Sequence, residues 1–67
     1  MSSLRIETIA IGDELLTGKI SDTNSSFIAK ELFSRGTALS AVTVIPDDAQ
    51  AIRYALDQVS SRADIAI

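Results

Sequence analysis

Apolar and polar positions change their rhythm several times along this chain, and each change marks an element. From Leu4 to Ile11 the β-branched residues Ile6, Ile9 and Ile11 form a run that stops at Gly12, which predicts a strand. Gly12 to Asp22 shows no sustained period and predicts a polar loop. From Thr23 to Arg35 the spacing becomes helical. Phe27, Ile28, Leu32 and Phe33 share one face, and Lys30, Glu31 and Ser34 fall outside it. Asp22 or Thr23 supplies the N-cap, and Gly36 stands one past the end, where a left-handed C-cap is expected. Ala38 to Ile45 predicts a second strand, closed by Pro46, which favours an extended Ile45 and removes a backbone donor. A second helix follows. Asp47 is its expected cap, with Gln50 as the capping-box partner, and Ile52, Ala55, Leu56 and Val59 form its apolar face. Arg53 and Asp57 form an i, i+4 pair in the less favourable order. From Asp64 the chain opens a third strand.

This β-α-β-α-β order with short connections predicts an α/β layer fold with a parallel sheet and right-handed crossovers. Parallel strands need both faces covered, and two helices cannot cover a full sheet. Residues 1–67 are therefore expected to be the leading part of one larger domain.

Composition narrows the chemistry. The 67 residues carry a net charge of −3 with no cysteine and no histidine. Disulfides, thiol nucleophiles and zinc–thiolate sites are excluded within this stretch, as are the commonest general base and metal ligand. What remains is carboxylates, hydroxyls, amides, backbone groups or a bound hard cation. The mild acidity and scattered basic residues speak against nucleic-acid binding. No apolar run approaches the roughly 20 residues of a membrane span. The start MSSLRIETIAIGDE lacks the pattern of a leader, so the expected compartment is the cytoplasm.

GDELLTGKIS, from Gly12 to Ser21, superficially resembles a phosphate-binding P-loop, G-x-x-x-x-G-K-[ST]. The spacing between Gly12 and Gly18 is one residue too long, and Ile20 stands where the hydroxyl should follow Lys19. Asp13 and Glu14 would set two carboxylates against the phosphates, so the P-loop reading fails. Ligands of open α/β sheets sit outside the carboxyl ends of the strands. Three loops are expected to leave that edge, the third after Ile67, and the first two carry Asp13, Glu14, Asp22, Asp47 and Asp48. The first is longer than the about 2–6 residues usual for such connections, and long loops there are commonly functional. Thr17, Gly18 and Asn24 add small or hydrogen-bonding groups. Asp22, Asp47 and Asp48 also suit helix caps. Lys19 reads as a surface charge, and Phe27, Phe33 and Tyr54 read as packing residues. Residue chemistry alone leads to a polar small-molecule site, with Mg²⁺ or another divalent cation suited to its oxygens.

IETIAIGDELLTGKISDTNSSFIAKEL closely resembles the opening of the CinA amino-terminal domain, in which a strand leads into G-D-E-L-L-x-G and then D-T-N before a helix. TVIPDDAQAIRYAL and RADIAI are also similar to that family, and the I-P-D turn is shared with the molybdopterin-binding proteins MogA and MoaB. The resemblance implies a three-layer α/β/α fold of the molybdopterin-binding type and assembly into a homo-oligomer. It marks Gly12, Asp13, Glu14, Thr17, Gly18, Asp22, Asn24 and Asp47 as site-lining candidates, with Asp13, Glu14 and Asp47 as the catalytic and metal-holding ones. The family continues with a T-G-G-x-G loop after the third strand, where it binds phosphate, and this sequence stops at Ile67. The 67 residues by themselves are therefore expected to be inactive.

Two functions follow from the resemblance. The first is an ADP-ribose pyrophosphatase-type hydrolase, with a separate nicotinamide mononucleotide deamidase domain in many relatives. The alternative is a molybdopterin-binding module of molybdenum-cofactor biosynthesis, with molybdopterin as the cofactor. G-D-E-L-L-x-G with D-T-N favours the first, because MogA and MoaB more often read S-D at that position.

Overall fold

A computed structural model describes residues 4–67; Met1 to Ser3, the head of the stretch read for a leader, lie outside the described residues. The elements run β1 (Ile6–Ile11), α1 (Asp13–Leu16), α2 (Thr23–Ser34), β2 (Ala41–Ile45), α3 (Ala49–Ser60) and β3 (Ile65–Ala66). The strands form a parallel sheet in the order β2-β1-β3. Registers Glu7↔Ala41 through Ile11↔Ile45 place the carboxyl ends of β1 and β2 level with one another.

Neighbouring strand residues point to opposite faces. Thr8 Oγ1 lies 3.2 Å from Ser25 Oγ on α2, and the Glu7 carboxylate takes two bonds from Arg62, just beyond α3. The helices therefore cover opposite faces of the sheet, giving α/β/α layers. The apolar core holds Ile6, Ile45, Ala55 and Val59, with Val59 1% exposed.

Capping explains the helix limits. Asp22 accepts the Ser25 amide at 3.0 Å and starts α2. At its other end Gly36 adopts φ +87°, the Gly36 amide bonds Phe33 O and the Thr37 amide bonds Leu32 O. This is the expected left-handed glycine C-cap.

Several expectations need correction. The loop after β1 is not wholly irregular, since it contains the one-turn helix α1. Both early strands start later than their apolar runs, at Ile6 and Ala41. The cap of α3 is Asp48, whose carboxylate accepts the Ala51 amide at 3.0 Å, so the pair of Asp47 with Gln50 does not form. Asp48 is the residue with extended backbone that a cap requires. Arg53 makes no ion pair with Asp57; the helix-surface pair among the described residues is Arg35–Glu31 at 3.7 Å. Phe27, Phe33 and Tyr54, read as packing residues, are exposed by 64%, 79% and 68%. The buried stripe of α2 instead runs through Ser25, Ile28, Ala29 and Leu32, which turns both phenylalanines off the sheet.

Candidate functional site

The two loops at the carboxyl edge are tied together. Gly12 donates its amide to Ile45 O at 3.0 Å, so the chain leaves β1 beside the end of β2. Asp13 Oδ1 then accepts the Asp47 amide at 3.3 Å. Next to Gly12, the carboxylate of Glu14 fills the space that a side chain would take, for an ideal Cβ there would lie 2.7 Å from Glu14 Oε1.

The phosphate-loop lookalike resolves into a helical turn with its own end-cap. Thr17 N–H bonds Asp13 O at 3.1 Å and Lys19 N–H bonds Glu14 O at 3.0 Å, while Gly18 takes φ +78°. This is the glycine C-cap seen again at Gly36, so the Gly-Lys pair closes α1 and forms no phosphate cradle. Thr17 is engaged in the same turn, its hydroxyl donating to Glu14 O at 3.3 Å.

Between the end of β1, α1 and the start of α2 lies a cleft of about 330 Å³. Glu14, Ser21, Asp22, Thr23 and Asn24 give it a polar side, and Ile9, Ile28 and Ile67 give it an apolar one. No lysine or arginine lines it among the described residues. Asp22 is its best-defined acid. The Ser25 hydroxyl holds its carboxyl below the usual carboxylate range, the Ser25 amide adds to this, partial burial opposes and the Asn24 amide contributes. Asp22 is therefore ionised at neutral pH. One of its oxygens, Oδ1, caps α2, while Oδ2 is buried and has no bond of standard geometry. The Ser25 hydroxyl is near enough to act on the charge and in turn meets Thr8, so a polar thread runs from β1 beneath the cleft.

The structure thus sorts the predicted residues into three places. Glu14, Asp22 and Asn24 share the cleft. Gly12, Asp13 and Asp47 lie together where the two loops meet, outside the cleft lining. Thr17 and Gly18 belong to the end of α1. Among the described residues, no three acidic side chains converge on one point as an all-protein cation site requires.

One buried charge escaped the sequence reading. Glu7 is fully buried in the central strand, and Arg62 Nε and Nη2 and Arg5 Nε all donate to its carboxylate at 2.8–2.9 Å. The Arg62 hydrogen bonds lead in lowering its pKa to about 2, burial opposes them, and Arg5 assists. Glu7 in turn raises the Arg62 pKa. The legible signal was a carboxylate, Glu7, within the isoleucine-rich first strand, where a buried charge demands a cationic partner.

Residues 7–67 match the family described as probable molybdopterin binding domain. The chain belongs to this family. Among curated proteins it is similar to CinA-like proteins. It is 44% identical to that of Citrifermentans bemidjiense over 64 residues, 96% of this chain and 16% of the relative. A Geobacter species gives 42% identity with the same coverage, and Syntrophus aciditrophicus gives 41%, over 96% of this chain and 15% of the relative. The chain spans only about 16% of the length of the CinA-like proteins it matches. In this chain the G-D-E-L-L-x-G segment is helix α1 with its cap, and D-T-N opens α2. No helix among the described residues is long and apolar enough to cross a membrane.

Proposed function

We propose that this molybdopterin-binding-family chain forms the acidic wall of a nucleotide site in a CinA-like hydrolase that cleaves the pyrophosphate of ADP-ribose. The observation that carries the reading is the junction of the two loops, where Asp13 accepts the Asp47 amide beside an acid-rimmed cleft at the carboxyl edge of a parallel sheet. Similarity to CinA-like proteins along nearly the whole chain supports it.

The residues fit a divalent cation of the magnesium type. Such ions are held by one or two carboxylates plus substrate phosphates, so a three-acid cage is not needed. Asp13 and Asp47, which meet at the loop junction, would hold it; Glu14, the third acid expected from the sequence, lines the neighbouring cleft and does not converge with them. It would supply charge neutralisation for the pyrophosphate and a polarised water. The chain's own tasks are then clear. Asp13 keeps the two loops in register. Asn24, whose side chain is exposed in the cleft, orients a ribose hydroxyl. Asp47 is free for the ligand because Asp48 serves as the cap.

The test is hydrolysis of ADP-ribose by the full-length protein in the presence of Mg²⁺. Loss of activity in Asp13→Asn and Asp47→Asn, with folding intact, is the expected result. An intact substrate with the unaltered protein, or full activity in both variants, overturns the proposal. The family match favours a second reading, a molybdopterin site. Calorimetric titration with ADP-ribose and with a pterin separates the two, because each reading expects tight binding of one ligand. Assembly into a homo-oligomer belongs to both readings and is tested by the native mass of the full-length protein.

A further inference from the structure

We infer that the Glu7–Arg62 ion pair is a register lock for β3, which sets Ile67 in the wall of the cleft on the other face of the sheet. Glu7 and Arg62 are then positioning residues for a site that neither of them lines. This deepens the proposed function and rests on its claim that ADP-ribose binds at this edge.

β3 is too short to fix its own register. It holds two residues, Ile65 and Ala66, paired with Ile6 and Glu7. Ile67 continues the ladder. Its amide bonds Glu7 O and its carbonyl accepts the Ile9 amide, both at 2.9 Å, so Ile67 lies opposite Thr8. Paired residues of adjacent strands share a face, and both Thr8 and Ile67 line the cleft. A slip of one residue would move β3 by about 3.3 Å and turn Ala66 to that face in place of Ile67. Backbone bonds oppose such a slip weakly, since shifted donors and acceptors meet again. The turn before β3 opposes it strongly. Arg62, two residues past α3, gives Glu7 a two-pronged bond, Nε to Oε2 at 2.8 Å and Nη2 to Oε1 at 2.9 Å. A planar fork fixes direction as well as distance. Glu7 is fully buried, so a shift of about 3.3 Å would strand its charge away from water. Asp64 adds a second tie, its Oδ2 accepting the Arg5 amide at 2.7 Å. Glu7 thus holds both sides of the return, Arg62 through its carboxylate and Ile67 through its carbonyl. Selecting one register is the best-attested use of a buried ionic group.

The test uses the full-length protein with Arg62→Lys, which keeps the charge and loses the fork, and with Glu7→Gln, which keeps the shape and loses the charge. Amide hydrogen exchange reads the lock without any ligand. The Ile67 amide is expected to exchange about tenfold faster or more in both variants, as the loss of a hydrogen bond to a charged group implies, while peptides of α2 stay at the wild-type rate. Calorimetric titration with ADP-ribose and Mg²⁺ reads the consequence. Ile67→Ala alone is expected to weaken ADP-ribose about tenfold, as missing methylenes in a contact surface do. In the Arg62→Lys background the same change is expected to matter by less than about twofold, because Ile67 has already left the wall. A pair that only stabilises the fold would leave the two effects additive. The inference is overturned by wild-type exchange at Ile67 in both variants, by wild-type affinity in Ile67→Ala, by additive effects, or by loss of folding in both variants. A wild-type protein that binds no ADP-ribose refutes the functional proposal instead, and the exchange measurement still decides the lock.

Discussion

Asp47 and Asp48 are adjacent, both acidic and both at the start of α3, yet the structure gives them different work. Asp48 accepts the Ala51 amide at 3.0 Å, whereas the Asp47 side chain makes no hydrogen bond among the described residues and only its backbone amide is used, by Asp13. Replacing Asp48 by alanine removes an N-cap, a loss of about 1 kcal/mol within a range of about 0.5–2. Removing a negative charge from the first turn adds about 0.3–1 kcal/mol at low salt. Asp47→Ala loses only the smaller charge effect. Amide hydrogen exchange of the peptide spanning α3, read in the full-length protein, measures this locally. Exchange should rise about fivefold or more in Asp48→Ala, since 1–2 kcal/mol corresponds to a factor of about 5–30. It should rise less, by about two- to fivefold at low salt, in Asp47→Ala and in Asp48→Asn, which lose only the charge effect because asparagine caps as well as aspartate. Equal protection in Asp48→Ala and Asp47→Ala, or greater loss in the latter, refutes the assignment of the cap. It would also remove the argument that Asp47 is free for ligand.

Two further predictions concern the frame around the site. Glu7 has a folded pKa depressed from 4.5 to about 2, so its contribution to stability is fully present above pH 4.5 and is lost as pH falls towards 2. Glu7→Gln should therefore lower the melting temperature at pH 7 more than at pH 2, and equal losses at the two pH values would contradict the ion-pair account. Gly18 has open space where a side chain would go but sits at φ +78°. Gly18→Ala should cost about 1–2 kcal/mol from backbone strain alone, seen as faster exchange in α1, and no change there would remove its role as the helix end.

Legibility followed the range of each interaction. The α3 pattern through Ile52, Ala55 and Val59 was visible because helical burial repeats locally, and both Ala55 and Val59 are buried. Gly36 was visible because only a glycine is at ease in the left-handed cap. Helix α1 was hidden because four residues are too few to show a period. The choice between Asp47 and Asp48 was hidden because both have the right chemistry and one backbone angle decides. Phe27 and Phe33 misled because apolar residues at helical spacing do not reveal which edge of the stripe meets the sheet.

The amino-acid sequence by itself determined the order of elements, the parallel sheet they imply, the turn-forming glycines, the acidic carboxyl edge and the family. Each is a local pattern or a run of residue types, and local backbone preferences are sufficient to write it. Only the tertiary structure decided that Asp13 reaches the Asp47 amide, that Glu14, Asp22 and Asn24 line one cleft, and that Glu7 lies buried between Arg5 and Arg62. Arg62 is distant in sequence from Glu7, and Asp47 from Asp13. Such meetings depend on strand register and on which face each helix covers, and these are settled only when the layers pack.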